Sequence, residues 1–191
     1  IIETVEPFED SFYSPRYRCS LTLKDGTYLP CAVIQSKQRL VELAKRRIKE
    51  EMDGKGRLGG VDPYGQIVFS FVTRGNRIND YDVISATTSS FAIPLELLHQ
   101  IHSETTMAWT GWVFEMSDGS TFSYGSSFSM EFFQLPEGYL FDDVTKVHNH
   151  SYVGKNGKLL PLQQGGFFPD DYKDVPLLRE RIYFTCAIES I

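Results

Sequence analysis

What this chain lacks narrows it first. It has no run near the ~18–20 apolar residues that a membrane-spanning helix needs, so no helix of it is expected to cross a bilayer. Cysteine is scarce. Cys19, Cys31 and Cys186 are too few and too scattered for a disulfide framework. Three reduced thiols in or near a core are expected, and with them a cytoplasmic location. Positive charge is also short: 19 Lys and Arg stand against 25 Asp and Glu, a net charge of −6. A nucleic-acid binder presents a basic surface to phosphates, and so does a surface for anionic lipid, so the balance argues against both. It suits a basic protein partner instead. The first residue is Ile1 rather than Met, which leaves room for a leader removed in processing.

The motifs that announce catalysis are missing too. There is no P-loop and no GxSxG nucleophile elbow. Gly54-Lys55-Gly56-Arg57-Leu58-Gly59 fits GxGxxG, but a helix is expected before it and a strand after it. A dinucleotide loop needs the reverse, so that a helix N-terminus meets the pyrophosphate. The stretch reads as a glycine-rich loop. His148-Asn149-His150 spells the name of a nuclease motif by accident, since those nucleases draw the three residues from separate parts of a ββα unit. The carboxylate pairs Asp142-Asp143 and Asp170-Asp171 are adjacent residues, which diverge on a strand and are solvated on a loop, so neither makes an acid–base couple.

What is present points to sheet. Fourteen Phe and ten Tyr favour pleated surfaces. Tyr17, Cys19, Leu21 and Leu23 alternate with polar residues, and Asp25-Gly26 then leads into a second strand from Thr27 to about Gln35. The turn leaves two registers: a two-residue type I′ turn pairs positions whose numbers sum to 51, and a three-residue loop, Lys24 to Gly26, makes the sum 50. The second is favoured, because it sets Leu21 opposite Leu29 and Cys19 opposite Cys31, with Leu29, Cys31 and Val33 on one apolar face. Ser36 caps a helix to about Met52, with Leu40, Leu43, Ala44, Ile48 and Met52 as its buried stripe. Gln66 to Thr73 reads as a central strand, Tyr81 to Ala92 as a polar one, and Leu95 to His102 as a short helix opened by Pro94. Met107 to Met116 is a strand whose apolar phase slips between Trp109 and Trp112, which predicts a β-bulge at Thr110-Gly111. Asp118-Gly119 makes a second hairpin with Ser120 to Tyr124. Val144 to Val153 and Ile182 to Ile188 are further strands.

The fold class expected is α+β: a mainly antiparallel, sheet-rich domain with one long amphipathic helix and one short helix. Residues 1–191 read as a single globular domain, with 1–15 an extended N-terminal arm or edge segment. The two Asp-Gly turns lie 93 residues apart, which suggests a two-half duplication.

Three groups of residues are candidates for function. His99 and His102 are three apart on the short helix, and His148 and His150 two apart on a strand. Both spacings let two imidazoles reach one transition metal such as zinc, with Glu104, Asp142 or Asp143 to complete the sphere. Between Met107 and Tyr139 aromatics are dense and charge is low. Trp109, Trp112, Phe132, Phe133 and Tyr139 there form either a core or a partner-binding surface. Lys37, Arg39, Lys45, Arg46, Arg47 and Lys49, with Lys55 and Arg57 beyond, make the only basic patch, which reads first as a solvated helix face.

Two functions fit. One is a non-enzymatic protein-interaction role of inhibitor, immunity or adaptor type, needing no cofactor and engaging a basic protein. The other is a metal-dependent hydrolase using His99, His102, His148 and His150 to hold an ion that activates water. A small-molecule site in the concavity of the sheet is a third option.

Overall fold

The computed structural model describes residues 2–9, 15–55, 66–67, 76–102, 104–126, 130–162 and 180–189. The chain divides into two compact units. Unit 1 comprises Ile1–Ser89 and Tyr183–Ile191, and unit 2 comprises Ser90–Ile182. The sheets are mainly antiparallel, and the helices named among the described residues are one long and one short, so the α+β class holds. No helix among the described residues is long and apolar enough to cross a membrane.

Unit 1 contains β1 (Pro7–Phe8), β2 (Arg16–Leu23), β3 (Tyr28–Ser36), α1 (Lys37–Met52), β4 (Arg77–Ile78) and β5 (Val83–Thr88). Unit 2 contains α2 (Leu95–Leu98), β6 (Thr110–Met116), β7 (Thr121–Ser126), β8 (Val144–Asn149), β9 (Ser151–Val153) and β10 (Leu159–Pro161). The last strand, β11 (Phe184–Ile188), returns to unit 1.

In unit 1, β2 and β3 form the expected hairpin. Gly26 has φ +87, which a residue with a Cβ adopts only at a cost, and Asp25 Oδ1 accepts the Thr27 N–H at 2.9 Å. Leu21 lies opposite Leu29 as the three-residue loop requires. Two residues of β3, Pro30 and Cys31, then stand against the single Ser20 of β2, a bulge that shifts the register by one, so Cys19 faces Ala32 and not Cys31. Cys19 and Leu21 therefore share their core with Ala32 and Ile34, while Cys31 and Val33 are buried away from that cluster. Val5, Val83, Ala86 and Cys186 complete the cluster. Val5 in the core and β1 on β2 make the N-terminal segment an edge of the sheet. β11 runs parallel to both β3 and β4.

Ser36 caps α1 by accepting the Arg39 N–H at 3.4 Å. The helix ends where the Gly54 N–H donates to Glu51 O (3.1 Å) and the Lys55 N–H to Glu50 O (2.9 Å), the paired bonds of a Schellman motif. Leu40, Leu43 and Ala44 are buried, but Met52 is 83% exposed because it lies in the final turn, past the buried stripe. Gln66 and Ile67 have helical backbone, which overturns the expected central strand at those residues; 68–73 lie outside the described residues, as does the loop over 56–65.

In unit 2, β6 is the middle of a three-stranded sheet ordered β7-β6-β8, and β9 and β10 form a separate hairpin. No bulge interrupts Thr110-Gly111; the ladder with β7 is regular from Thr110 to Glu115. The slip in apolar phase has another cause. Trp109 precedes the strand, closing a turn in which Ala108 has φ +60, and its indole folds back over the sheet. A Cβ at Gly111 or Gly125 would strike that ring, so the two glycines, opposite each other on β6 and β7, leave the room it fills.

The two units share a local plan. The hairpin of each is extended on its first strand by a third, antiparallel strand: β5 on β2, and β8 on β6. A short 3-10 turn precedes that strand in both, Asp80–Asp82 and Phe141–Asp143. The Lys24 N–H donates to Asp82 O at 2.8 Å, and the Ser117 N–H to Asp143 O at 2.8 Å. Cys19 opposite Thr88 corresponds to Trp112 opposite Asn149, and Leu23 opposite Val83 to Met116 opposite Val144, with the same bulge one pair before the end.

Candidate functional site

Neither histidine pair keeps the helix or strand geometry on which its spacing relied. α2 stops at Leu98, so His99 is its C-cap and His102 lies beyond it, and both are exposed. The three-residue helical spacing therefore places nothing. His102 Nδ1 is 2.9 Å from Gln100 O. β8 ends at Asn149, and His150 has φ +50, which breaks the strand alternation and separates it from His148. Among the described residues no group of three or more His, Cys, Asp or Glu is placed to hold a metal ion.

Each of the second pair has its own partner. His148 Nε2 lies 2.7 Å from Glu115 Oε2, across the β6–β8 ladder in which Val113 faces His148 and Glu115 faces Lys146. His150 belongs to a polar knot. Its Nδ1 is 2.9 Å from Thr105 Oγ1, which also accepts the Gly111 N–H at 2.9 Å. The His150 N–H donates to Gly111 O (2.9 Å), and His150 O accepts from the Leu162 N–H (2.7 Å). These bonds hold His150 in its left-handed conformation and satisfy the backbone where β8 breaks from β9. Neither Glu115 nor Thr105 was legible as a partner, because strand pairing sets those contacts and residue spacing does not. Glu104 is exposed, and Asp143 Oδ2 accepts the Leu140 N–H at 2.8 Å.

Most of the aromatic stretch is core. Trp112, Phe132 and Phe133 are 0%, 1% and 0% exposed, so none of them offers a partner a surface. Trp112 meets Phe133 edge-on at 5.1 Å and stacks with Tyr124 at 6.2 Å. Trp109 is half-buried and packs with Tyr152, Leu160 and Leu162. Tyr139 alone remains near the surface in a polar role. Its hydroxyl donates to Asp118 Oδ2 at 2.9 Å, and its ring meets Phe122 edge-on at 4.9 Å.

That contact marks the most distinctive surface of unit 2. The β6–β7 turn carries Asp118, whose Oδ1 accepts the Ser120 N–H at 2.8 Å. This bond, then those from the hydroxyls of Tyr139 and Ser120, hold the carboxyl below the usual carboxylate range, so it stays ionised. The Ser117–Asp143 backbone bond brings the 3-10 turn to the same end of the sheet. Asp118, Glu137 and Asp142 are all exposed there, with Asp143 half-buried, and Leu140 among them is 63% exposed. The sequence held the signal in the division of charge. Unit 1 has thirteen basic and thirteen acidic residues; unit 2 has six and twelve, so the whole net charge of −6 resides in unit 2.

The basic face of α1 is partly self-neutralised: Arg39 pairs with Glu42 (3.5 Å), Arg46 and Arg47 with Glu50 (3.9 and 2.9 Å), and Lys37 with Glu189 (3.0 Å). These are exposed pairs of small energetic value. The three cysteines are buried, and none is in a disulfide. Burial pushes the Cys19 thiol up to about 12 and the Cys186 thiol up to about 11, the opposite of what a nucleophile needs. No family model matches the chain, and no curated protein or solved structure shows significant similarity to it.

Proposed function

We propose that this chain is a non-enzymatic interaction protein of inhibitor, immunity or adaptor type, and that the acidic end of unit 2 receives a basic protein. The observation that carries this reading is the confinement of the net charge of −6 to unit 2, with Asp118, Glu137 and Asp142 exposed around Leu140. Carboxylates around an exposed apolar residue supply the two parts of a recognition patch: charge that steers a cationic partner, and a centre that gains by leaving water. Asp118 is fixed in place by the turn and by Tyr139, so part of the charge is preorganised.

The test is affinity capture with the immobilised full chain at low and high salt, comparing wild type with the double variant E137Q/D142N. Both substituted side chains are exposed, and loss of their charge leaves the Asp118 turn and the Asp143–Leu140 bond intact. Wild type is expected to retain one basic protein in stoichiometric amount, to release it as salt rises, and to lose it about tenfold or more readily with both charges removed. Capture indifferent to salt and to the double substitution would overturn the reading.

A further inference from the structure

We propose that β5 is a pairing edge through which two copies of this chain associate, strand against the same strand, antiparallel. β5 is bonded to β2 on one side and, among the described residues, to no strand on the other. Its sequence, Val-Ile-Ser-Ala-Thr-Thr, is uncharged and strongly β-forming. Ile84 is 58% exposed, and Thr87, three residues on, is exposed as well. Among the described residues, further bonds engage only its two ends: the Val83 N–H donates to Asp80 O, and Thr88 Oγ1 donates to Thr4 O (3.3 Å).

Unit 2 supplies an internal comparison. β8 occupies the same position in the shared plan and carries the same bulge, at Thr145 where β5 has Ile84. Yet β8 places Lys146 where β5 has Ser85, and His148, engaged by Glu115, where β5 has Thr87. A charged side chain on an edge strand opposes pairing with another chain, because the added strand would desolvate it. β8 is defended in this way and β5 is not, although the bulge is common to both.

A second copy is the occupant that the charges favour. Antiparallel pairing centred between Ser85 and Ala86 sets Ile84 opposite Thr87 and meets no charged residue over Val83–Thr88. The acidic residues that flank the strand, Asp80 and Asp82, then stand at opposite ends of the ladder in the two copies, more than about 20 Å apart. The contact is self-complementary, as a twofold interface must be. It is independent of the acidic end of unit 2.

Sedimentation equilibrium from micromolar to millimolar concentration tests it, with amide exchange read alongside. The mass is expected to rise from the 21.8 kDa of one chain towards twice that value, with exchange at Ile84–Thr87 slowing as concentration increases. Ser85→Lys and Thr87→Lys, each copying the kind of charge that β8 carries, should each weaken association several-fold with the circular dichroism unchanged. Either variant alone reports if the other folds poorly. A constant mass of one chain, or a rise in mass that both variants leave intact, overturns the proposal; pairing with a different protein's strand would show as the first of these.

Discussion

Thr105 shows what a single buried hydroxyl does in this protein. It is 4% exposed, accepts the Gly111 N–H and meets His150 Nδ1, so it closes the polar knot where β8 turns into β9. Replacing it by Val keeps the shape and removes every bond of the hydroxyl, the long one to Gly111 O (3.5 Å) included, which leaves a buried N–H without an acceptor. That costs about 1–3 kcal/mol. Thr105→Val should lower stability by this amount in urea titration, and Thr105→Ser should restore most of it, because the hydroxyl returns. Equal losses in the two variants would mean that the methyl group, and not the hydrogen bonds, is what the site requires. The same logic explains why the histidines misled. His148 and His150 are two apart in sequence, but His150 is itself left-handed and lies past the end of the strand, and each ring answers to a partner more than thirty residues away.

At the scale of elements, short-range signals were legible and long-range ones were not. The Asp-Gly turns, the Ser36 cap and the stripe of α1 depend on residues a few positions apart, and the turns, the cap and the stripe as far as Ala44 are present. The bulge at Pro30-Cys31 leaves one local mark, a proline inside a strand, but the pairs it shifts are set by the fit of β3 to β2. The parallel docking of β11 on a strand distant in sequence leaves no local mark. Trp109 lies between these cases: the slip in phase was visible, but a bulge and a ring folded over two glycines leave the same mark in sequence. The glycines make the second account testable. Gly125→Ala should displace the indole, cost about 1–3 kcal/mol as overpacking does, and shift tryptophan emission to the red. Combined with Trp109→Ala, it should cost much less than the sum of the two single changes, since the clash has gone. Additive losses would place the cause elsewhere. The candidate site was legible only as charge: the sequence shows an acidic chain, but the fold is what gathers Asp118, Glu137 and Asp142 around Leu140.

The molecule as a whole carries a natural pair of probes for its two units. Both tryptophans, Trp109 and Trp112, lie in unit 2, and all three cysteines lie in unit 1. Each unit has a core of its own: the cluster around Cys19 and Leu21 in one, the aromatic set around Trp112 in the other. Unit 2 is also closed on itself at its ends. The Phe133 N–H donates to Phe91 O (2.8 Å), the Arg181 N–H donates to Phe132 O (2.9 Å), and the Arg181 guanidinium lies 4.2 Å from the centre of the Phe91 ring. A segment whose first and last residues bond to the same short stretch behaves as an insert, as chains that tolerate domain insertion do. Two cores predict two transitions. In urea, labelling of the thiols should follow unit 1 alone, since burial holds Cys19 and Cys186 unreactive until that core opens. Tryptophan emission should follow unit 2 alone. Midpoints that differ between the two probes are the expected result, and coincident curves with equal slopes would instead make residues 1–191 one cooperative domain, as their sequence alone was read.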